Sequence, residues 1–190
     1  KPLLKIDGIS IISRVFKTAE KTNIGEVFVA TEDKEILDDV KKNGGNAILT
    51  NKARTGSDRI FDAYKKINSK NIEYILNIQG DEPFIDQKDL INLNKQGLEK
   101  NTEIATLSCK IKNSAIYKNE DVVKVKTENE INTNKSSKAL NFFRKIEDET
   151  QNNIYHHVGV YLYKVSILEK FVHLEQTENE KRLKLEQLRA

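Results

Sequence analysis

Residues 74–83 read Tyr-Ile-Leu-Asn-Ile-Gln-Gly-Asp-Glu-Pro, and this stretch decides the fold. Its first five residues form an apolar run that predicts a buried strand. The polar segment that starts at Gln79 follows directly, and in an open α/β sheet ligands bind beyond the carboxyl ends of the strands. Gly80 lets the backbone approach a ligand, and the carboxylate of Asp81 can bind a hard cation. The segment is therefore a candidate site, with a strand-ending turn capped by aspartate as the alternative.

Helix and strand signals alternate through the first half of the chain. Apolar residues at helical spacing predict helices at residues 9–22, 34–43, 58–67 and 87–96, with Gly97 just past the end of the last one. Short apolar runs predict strands at residues 26–31, 47–49 and 74–78. This alternation predicts an α/β fold with a mainly parallel central sheet and helices on both of its faces.

The second half predicts strands with little helix between them. These strands are expected at residues 103–110, 121–127, 140–142 and 155–163, which indicates a smaller antiparallel excursion from the parallel sheet. Residues 128–137 are polar and predict an exposed turn. Leucines among charged residues at 178–190 predict an amphipathic helix that continues to the last residue.

Composition excludes several classes of protein. A chain of 190 residues with 37% hydrophobic side chains predicts one domain, residues 1–190. The net charge of +3 comes without a basic block, so we expect no binding to nucleic acid. We expect no membrane insertion, because no apolar stretch approaches the roughly 20 residues that span a bilayer. Cys109 is the only cysteine, which favours the cytoplasm and predicts a buried or half-buried structural thiol with no base nearby.

Several short segments occur in an order that resembles the 3-deoxy-manno-octulosonate cytidylyltransferase family. The segment Gln79–Pro83 resembles the end of the family's catalytic strand. Seven other segments match in order: Lys1–Leu3, Val29–Thr31, Thr55–Arg59, Val122–Val125, Ala139–Leu140 with Phe142 and Arg144, His157–Tyr161, and Leu185–Arg189. The resemblance spans residues 1–190 and implies a three-layer nucleotidyltransferase fold.

The resemblance also implies a reaction. In this family the anomeric hydroxyl of a 3-deoxy-sugar acid attacks the α-phosphate of CTP and pyrophosphate leaves, in lipopolysaccharide biosynthesis. Catalysis then depends on charge neutralisation by Mg²⁺ and basic side chains rather than on a covalent intermediate. By resemblance, Asp81 is the metal ligand and acts with Gln79 as a catalytic residue. A cytoplasmic homodimer is typical of the family.

Further residues are assigned to the two substrates by resemblance. Those expected at the nucleotide are Lys1, Thr55, Ser57 and Arg59. Those expected at the sugar acid are Arg144, His157, Tyr161, Glu186 and Gln187. We expect Arg144, His157 and Gln187 to converge on one cleft, and Asp81 to lie in an open cleft beside Gln79.

Each of these residues also has a structural interpretation. His157 follows His156 on a predicted strand, so one ring faces each side of the sheet and His157 can be a packing residue. Arg144 can be an exposed charge and Tyr161 a core residue. Glu186 and Gln187 can face solvent. Thr55, Ser57 and Arg59 can belong to a helix start, with Ser57 as the N-cap.

Rival functions remain open as well. Phe143 stands where the family usually has serine, and no proline follows Arg144. These departures leave room for an 8-amino octulosonate or a nonulosonate as the sugar, or for a non-catalytic nucleotide-binding homologue. The family's arginine-rich loop before Lys1 and its downstream Val-Asp-Thr-Pro segment have no match, so we expect a domain that is incomplete at both ends and inert alone.

Overall fold

The computed structural model describes residues 1–67, 71–146 and 151–190. Its strands are β1 (Lys5–Ile6), β2 (Ile9–Ser10), β3 (Val29–Thr31), β4 (Ala47–Leu49), β5 (Tyr74–Asn77), β6 (Ile104–Lys110), β7 (Lys124–Thr127), β8 (Ala139–Phe143) and β9 (Ile154–Lys164). Its helices are α1 (Ile11–Glu20), α2 (Lys34–Lys42), α3 (Gly56–Ile67), α4 (Gln87–Glu99), α5 (Ala115–Lys118), α6 (Val165–His173) and α7 (Glu178–Leu183), followed by a C-terminal 3₁₀ helix (Glu186–Arg189).

The chain folds into two compact units. The first contains Lys1–Ala105 and Val160–Val172, and the second contains Thr106–Gly159 and His173–Ala190. Strands β6 and β9 pair with each other, and each has residues in both units. The prediction of one domain over residues 1–190 stays a prediction.

The first unit carries the alternating helices and strands. Strands β3 and β4 pair in parallel, with Val29 opposite Ala47, and helix α2 connects them as a crossover. Strand β5 pairs antiparallel with the end of β9, so that Asn77 lies opposite Tyr161. The α/β fold class is confirmed, and the sheet pairing is mixed.

Apolar faces predicted from the sequence form the core of this unit. One cluster joins Ile12 and Phe16 of α1 to Val29 and Val40. A second cluster packs Phe61 of α3 against Tyr163, Leu168, Phe171 and Val172. Side-chain caps begin the helices, because Ser10 accepts a hydrogen bond from the backbone N–H of Ser13, Asp33 from that of Glu35, and Asp86 from that of Lys88.

The prediction that Gly97 lies just past a helix is wrong. Helix α4 continues through Gly97 to Glu99. A Cβ atom at Gly97 would lie 2.2 Å from Cδ2 of Leu162, a residue that is 1% exposed. Gly97 is therefore needed for close packing of the helix on β9, which a sequence cannot distinguish from a C-cap glycine.

The second unit is the antiparallel excursion that the sequence predicts. Strand β7 pairs antiparallel with β8 on one side and with the start of β9 on the other. Val125 is 2% exposed and lies opposite both Phe142 and Tyr155. Lys124, the preceding residue of β7, is also buried, so both faces of this strand are covered.

The predicted continuous helix over residues 178–190 is wrong. Helix α7 ends at Leu183, and Lys184 has a left-handed backbone conformation with φ of 51°. The chain then turns into the 3₁₀ helix Glu186–Arg189. Leu185, one of the leucines of the predicted amphipathic helix, lies after this break and is 3% exposed.

Two helices were not predicted. Helix α5 is a single turn, which is too short to show helical periodicity. Helix α6 follows β9 without an intervening loop, although Leu168, Phe171 and Val172 carry a helical spacing that could have revealed it. Among the described residues, every helix is too short or too polar to cross a bilayer.

Candidate active site

Asp81 lies just beyond the carboxyl end of β5, as predicted. Strand β5 ends at Asn77, and both Gln79 and Asp81 are exposed. Between them, Gly80 packs so closely on α1 that a Cβ atom there would lie 2.5 Å from Cδ1 of Ile12. Only a glycine lets the polar segment leave the strand against the helix in this way.

Lys1 is placed beside Asp81. Its Nζ lies 3.1 Å from Oδ2 of Asp81, and 40% of the Asp81 side chain is exposed. The start of α1 holds the segment that carries Lys1, because the backbone N–H of Ile12 donates to the carbonyl of Pro2 at 3.0 Å. Lys1 and Asp81, distant in sequence, therefore meet through the packing of the first helix.

The exposed carboxylate of Asp81 is a type of ligand that a hard cation can use. No group of three acidic, histidine or cysteine side chains that could hold a metal occurs within residues 1–67, 71–146 and 151–190. Mg²⁺ bound with nucleotides commonly uses one or two carboxylates and completes its shell with phosphate oxygens and water. The ammonium of Lys1 already occupies the cationic position next to this carboxylate.

The start of α3 brings together the residues expected at the nucleotide. Helix α3 begins at Gly56, and the hydroxyl of Thr55 accepts a hydrogen bond from the backbone N–H of Asp58 at 3.3 Å. The prediction of Ser57 as the N-cap is therefore wrong, because Ser57 lies inside the helix. Its hydroxyl is buried and is 3.1 Å from the Tyr163 hydroxyl.

Arg59 lies one turn further along α3. A terminal nitrogen of its guanidinium is 3.9 Å from Oε1 of Glu32, which follows the carboxyl end of β3. The Nε of Arg59 is buried and has no hydrogen-bond partner among the residues that the structure describes. Buried donors normally have partners, so this atom is available to a ligand acceptor.

Tyr161 lies beside the end of β5. It stands opposite Asn77 in the ladder, and its ring stacks on Tyr163 with 5.6 Å between the ring centroids. Tyr163 is buried, whereas Tyr161 is half-buried. The ring of Tyr161 therefore packs on Tyr163, while part of the Tyr161 residue stays exposed.

His157 is a buried, neutral side chain of the second unit. It is 8% exposed, its Nε2 is 2.9 Å from the Thr106 hydroxyl, and the ring of Phe142 meets it edge to face at 5.1 Å. Burial, followed by the charge of His156, lowers the pKa of His157 to about 4. His157 is thus uncharged at neutral pH and can serve as a hydrogen-bonding group.

Arg144 is not a free surface charge. Its guanidinium donates hydrogen bonds to the carbonyls of Leu183 at 2.9 Å, Lys184 at 3.0 Å and Glu120 at 3.2 Å. Two of these carbonyls belong to the C-terminal end of α7, where a cation is favourable. Arg144 therefore anchors the segment that leads to Gln187, and its role toward a sugar acid stays a prediction.

Lys124 is a site residue that the sequence did not reveal. It is 0% exposed, and its ammonium donates to the carbonyls of Asn119 and Val122, each at 2.7 Å, and to that of Arg144. Burial, helped by the charge of Arg144, lowers the pKa of Lys124. Lys124 lies in the matched segment Val122–Val125, but only the fold shows that its ammonium bonds to the backbone carbonyl of Arg144.

Glu186 and Gln187 are half-buried in the C-terminal 3₁₀ helix. They are therefore not the solvent-facing side chains that a charged helix would carry. The Oε1 of Glu186 is buried and has no hydrogen-bond partner in the described part of the chain. A buried carboxylate oxygen without a donor is costly, so this atom suits a ligand hydroxyl.

The expected burial of Cys109 is wrong. Cys109 is exposed, and its Sγ is 3.7 Å from Nδ1 of His156. The thiol sits near the end of β6, where its side chain points away from the buried face. His156 and His157 do face opposite sides of β9, so the imidazole beside the thiol is the one that packing leaves uncovered.

The predicted residues fall into two groups. The first unit holds Lys1, Thr55, Ser57, Arg59, Gln79, Asp81 and Tyr161, and the second holds Arg144, His157, Glu186 and Gln187. Within the second unit, Phe142 packs against His157 on the strand that leads to Arg144, and Arg144 bonds to the turn before Glu186. These contacts support the predicted convergence without testing it.

A family model described as Cytidylyltransferase matches residues 1–190. The chain belongs to this cytidylyltransferase family. It is 37% identical over 191 residues to the 3-deoxy-manno-octulosonate cytidylyltransferase of Rickettsia typhi, covering 100% of this chain and 76% of that protein. It is 38% identical over 192 residues to the protein of the same name from Afipia carboxidovorans, covering 77% of it.

A solved relative supports the membership at the level of the fold. The structure of CMP:2-keto-3-deoxy-manno-octonic acid synthetase complexed with CTP superposes with a TM-score of 0.84 at 32% identity. The superposition covers 100% of the present chain and 77% of the chain of the synthetase. The resemblance inferred from short motifs is thereby confirmed over the whole length.

Proposed function

We propose that this cytidylyltransferase activates 3-deoxy-manno-octulosonate with CTP to form CMP-3-deoxy-manno-octulosonate and pyrophosphate, for lipopolysaccharide biosynthesis. The observation that carries this proposal is the full-length match to a synthetase of the same sugar acid that binds CTP. Curated relatives at 37% and 38% identity carry the same activity in their names. The chemistry below assigns the residues of this chain to that reaction.

The reaction is a displacement at phosphorus. The anomeric oxygen of the sugar acid forms a bond to the α-phosphorus of CTP, its proton passes to solvent water, and the bond between the α-phosphorus and the pyrophosphate oxygen breaks. Negative charge on the phosphates must be offset during this step, and groups already in place contribute most. Lys1 and Asp81 form an adjacent cation and anion beyond β5, as a metal-bound triphosphate requires.

Mg²⁺ is the cofactor that we propose for Asp81. The ion supplies charge neutralisation and orientation of the phosphate oxygens. Asp81 would hold it from the protein side, and Gln79, exposed two residues earlier, would bind a neighbouring substrate oxygen. Lys1 would then pair with the triphosphate instead of Asp81.

Arg59 provides further support at the nucleotide. Its buried Nε lacks a partner among the described residues, and a nucleotide oxygen would satisfy it. The hydroxyl of Thr55 accepts from the Asp58 backbone N–H at the start of α3, and an anion is favoured at this end of a helix. Ser57 would contribute its backbone, because its hydroxyl is paired with Tyr163.

The sugar acid would use the second group of residues, and the assignment of Tyr161 to the sugar acid stays a prediction from the resemblance. Neutral His157 and the amide of Gln187 can bond to hydroxyls. The Oε1 of Glu186, which has no partner among the residues that the structure describes, can accept from a hydroxyl. Arg144 keeps N–H donors beyond its three carbonyl contacts, because a guanidinium has about five in total. These donors suit the sugar carboxylate. From the resemblance to the family we also propose a homodimer, and from the single cysteine a cytoplasmic location.

Product formation tests the proposal directly. The complete protein is used, because residues 1–190 alone are expected to be inert. It is incubated with CTP, Mg²⁺ and one sugar acid, and both pyrophosphate and the CMP-sugar are measured. The panel contains 3-deoxy-manno-octulosonate, its 8-amino variant and a nonulosonate, with ATP and EDTA reactions as controls. Turnover restricted to CTP and the first sugar supports the proposal. Preference for another sugar acid would assign a different substrate, and CTP binding without any turnover would indicate a non-catalytic homologue.

A further inference from the structure

A buried ion pair closes the loop that carries two of the proposed sugar contacts. Glu180 lies in the first turn of α7, and Arg189 ends the C-terminal 3₁₀ helix. The Nε of Arg189 donates to Oε2 of Glu180 at 3.0 Å, and its Nη2 donates to Oε1. The side chains are 3% exposed for Glu180 and 1% exposed for Arg189. The pair is therefore bidentate and removed from solvent.

Neighbouring groups hold Glu180 in its charged form. Burial raises the pKa of Glu180, but hydrogen bonds from Arg189 and Gln176 together lower it by more. The pKa of Glu180 is therefore below its ordinary value. The amide of Gln176 donates to Oε1 at 2.9 Å, and the hydroxyl of Thr177 accepts from the Glu180 backbone N–H at 3.1 Å. Gln176 and Thr177 therefore hold Glu180 through contacts that do not involve Arg189.

The segment between the two charges has little support of its own. The 3₁₀ helix is four residues long, and the residue at its N-cap, Leu185, makes no side-chain capping bond. Short 3₁₀ helices have poor hydrogen-bond geometry and seldom persist alone. Glu186 and Gln187 lie in this helix, so their orientation depends on what holds its two ends.

Contacts with the rest of the second unit hold the first end of this segment. Arg144 bonds to the carbonyls of Leu183 and Lys184, and the backbone N–H of Leu185 donates to the carbonyl of Glu180 at 3.3 Å. The far end is held by Arg189. Glu186 is then kept with a carboxylate oxygen that is buried and has no donor among residues 1–67, 71–146 and 151–190, which is an unfavourable position for a carboxylate.

Stability alone does not account for such a pair. Desolvating two charges often costs as much as their attraction returns, and apolar replacements of similar volume are frequently as stable. A bidentate pair does fix orientation, because the planar guanidinium matches the carboxylate in one geometry. The Glu180–Arg189 pair should therefore fix the position of the 3₁₀ helix that Arg189 ends.

We propose that the Glu180–Arg189 ion pair positions Glu186 and Gln187 for the sugar acid, an inference that rests on the proposed function. Glu180 and Arg189 are positioning residues in this assignment, since neither needs to touch the substrate. The sugar acid is the affected substrate because both positioned side chains are assigned to it. The nucleotide residues lie on other elements and depend on other contacts.

The test measures KM for each substrate separately, with unfolding midpoints for every variant. We expect Arg189→Lys, which keeps the charge but loses the fork, to raise KM for 3-deoxy-manno-octulosonate roughly ten- to a hundredfold while KM for CTP changes less than about twofold. The double variant Glu180→Met with Arg189→Met should raise the same KM while its unfolding midpoint stays close to that of the original protein. Glu178→Gln breaks the exposed pair with Lys181 on the same helix and should change neither KM.

Three results would overturn the proposal. If the folded Arg189→Lys and double variants keep the original KM for the sugar acid, the pair has no positioning role although the proposed function stands. Equal changes in both KM values would show a general structural effect instead. Absence of turnover in the unmodified protein would refute the proposed function, and the positioning role would be rejected with it.

Discussion

Two cations of the second unit, buried Lys124 and half-buried Arg144, are each matched by backbone carbonyls. The ammonium of Lys124 meets three backbone carbonyls, and the guanidinium of Arg144 meets three more. Buried charges are tolerated when hydrogen bonds replace their hydration, and removing one partner leaves the others unpaired. The polar atoms that lack such a partner in the described residues include Nε of Arg59 and Oε1 of Glu186. Both belong to residues that we assign to ligands.

Replacing Asp81 tests the metal assignment. We expect Asp81→Asn to lower kcat about a hundred- to a thousandfold, because losing one charge-stabilising group costs roughly 3–4 kcal/mol. Stability should change little, since the side chain is 40% exposed and its ion pair with Lys1 is at the surface. Pyrophosphate release and urea unfolding measure the two effects. Glu99→Gln, which removes an exposed pair with Lys95, is the matched control. An Asp81→Asn enzyme with unchanged kcat would remove Asp81 from the mechanism.

The pKa of His157 predicts how stability depends on pH. The pKa is about 4 in the folded protein, against 6.5 as the ordinary value, so below pH 6.5 the unfolded chain binds the proton more readily. The stability from neutral His157 is fully present above pH 6.5 and is lost as pH falls toward 4, by up to about 3 kcal/mol.

Unfolding free energies at several values between pH 4.5 and 7.5 check this expectation for the original protein and for His157→Gln. The variant has no titrating group at this position, so the difference between the two proteins isolates His157. The difference should shrink as pH falls. A constant difference across the range would show that His157 is not buried in its neutral form.

Packing between helices and strands depends on Gly80 and Gly97. In the sequence these glycines resemble ordinary loop or helix-capping residues. Gly80 lets β5 end against α1, and Gly97 lets α4 pack on β9. The helices themselves follow from apolar spacing and side-chain caps, so α1, α2, α3 and α4 were predicted with small errors in their ends. Helix α7 was predicted too long, because its end is imposed by Arg144 and Arg189 from outside the helix.

Gly97→Ala tests the contact between α4 and β9. Alanine ordinarily favours a helix over glycine by about 1 kcal/mol, but here its Cβ would lie 2.2 Å from buried Leu162. We expect a net destabilisation of about 1–3 kcal/mol, as for other overpacked cores. Urea unfolding gives the free energy. Gly25→Ala serves as the control because nothing lies within 4 Å of a Cβ atom there. A more stable Gly97→Ala protein would show that α4 can move away from β9.

For the whole molecule, the full-length match to a CTP-bound synthetase makes nucleotide binding measurable as stability. A ligand that binds the folded state alone at about 100 times its Kd stabilises that state by about 2.7 kcal/mol. We therefore expect CTP with Mg²⁺ to raise the unfolding midpoint, and ATP with Mg²⁺ to leave it unchanged. Thermal unfolding with each nucleotide, with and without EDTA, gives the comparison. Equal shifts with both nucleotides would contradict selection of the cytosine base.

The sequence by itself determined the α/β class, the antiparallel excursion, the family and the position of Asp81 beyond a strand. These features depend on local periodicity and on motifs that are contiguous in the chain, such as Gln79–Pro83. Tertiary structure decided which distant groups meet: Lys1 with Asp81, Tyr161 opposite Asn77, and Arg144 with the carbonyls of Leu183 and Lys184. It also decided the burial of Lys124 and Ser57, the exposure of Cys109 and the break after α7. These outcomes depend on packing and hydrogen bonds between segments far apart in sequence, where the residue type alone leaves several partners possible.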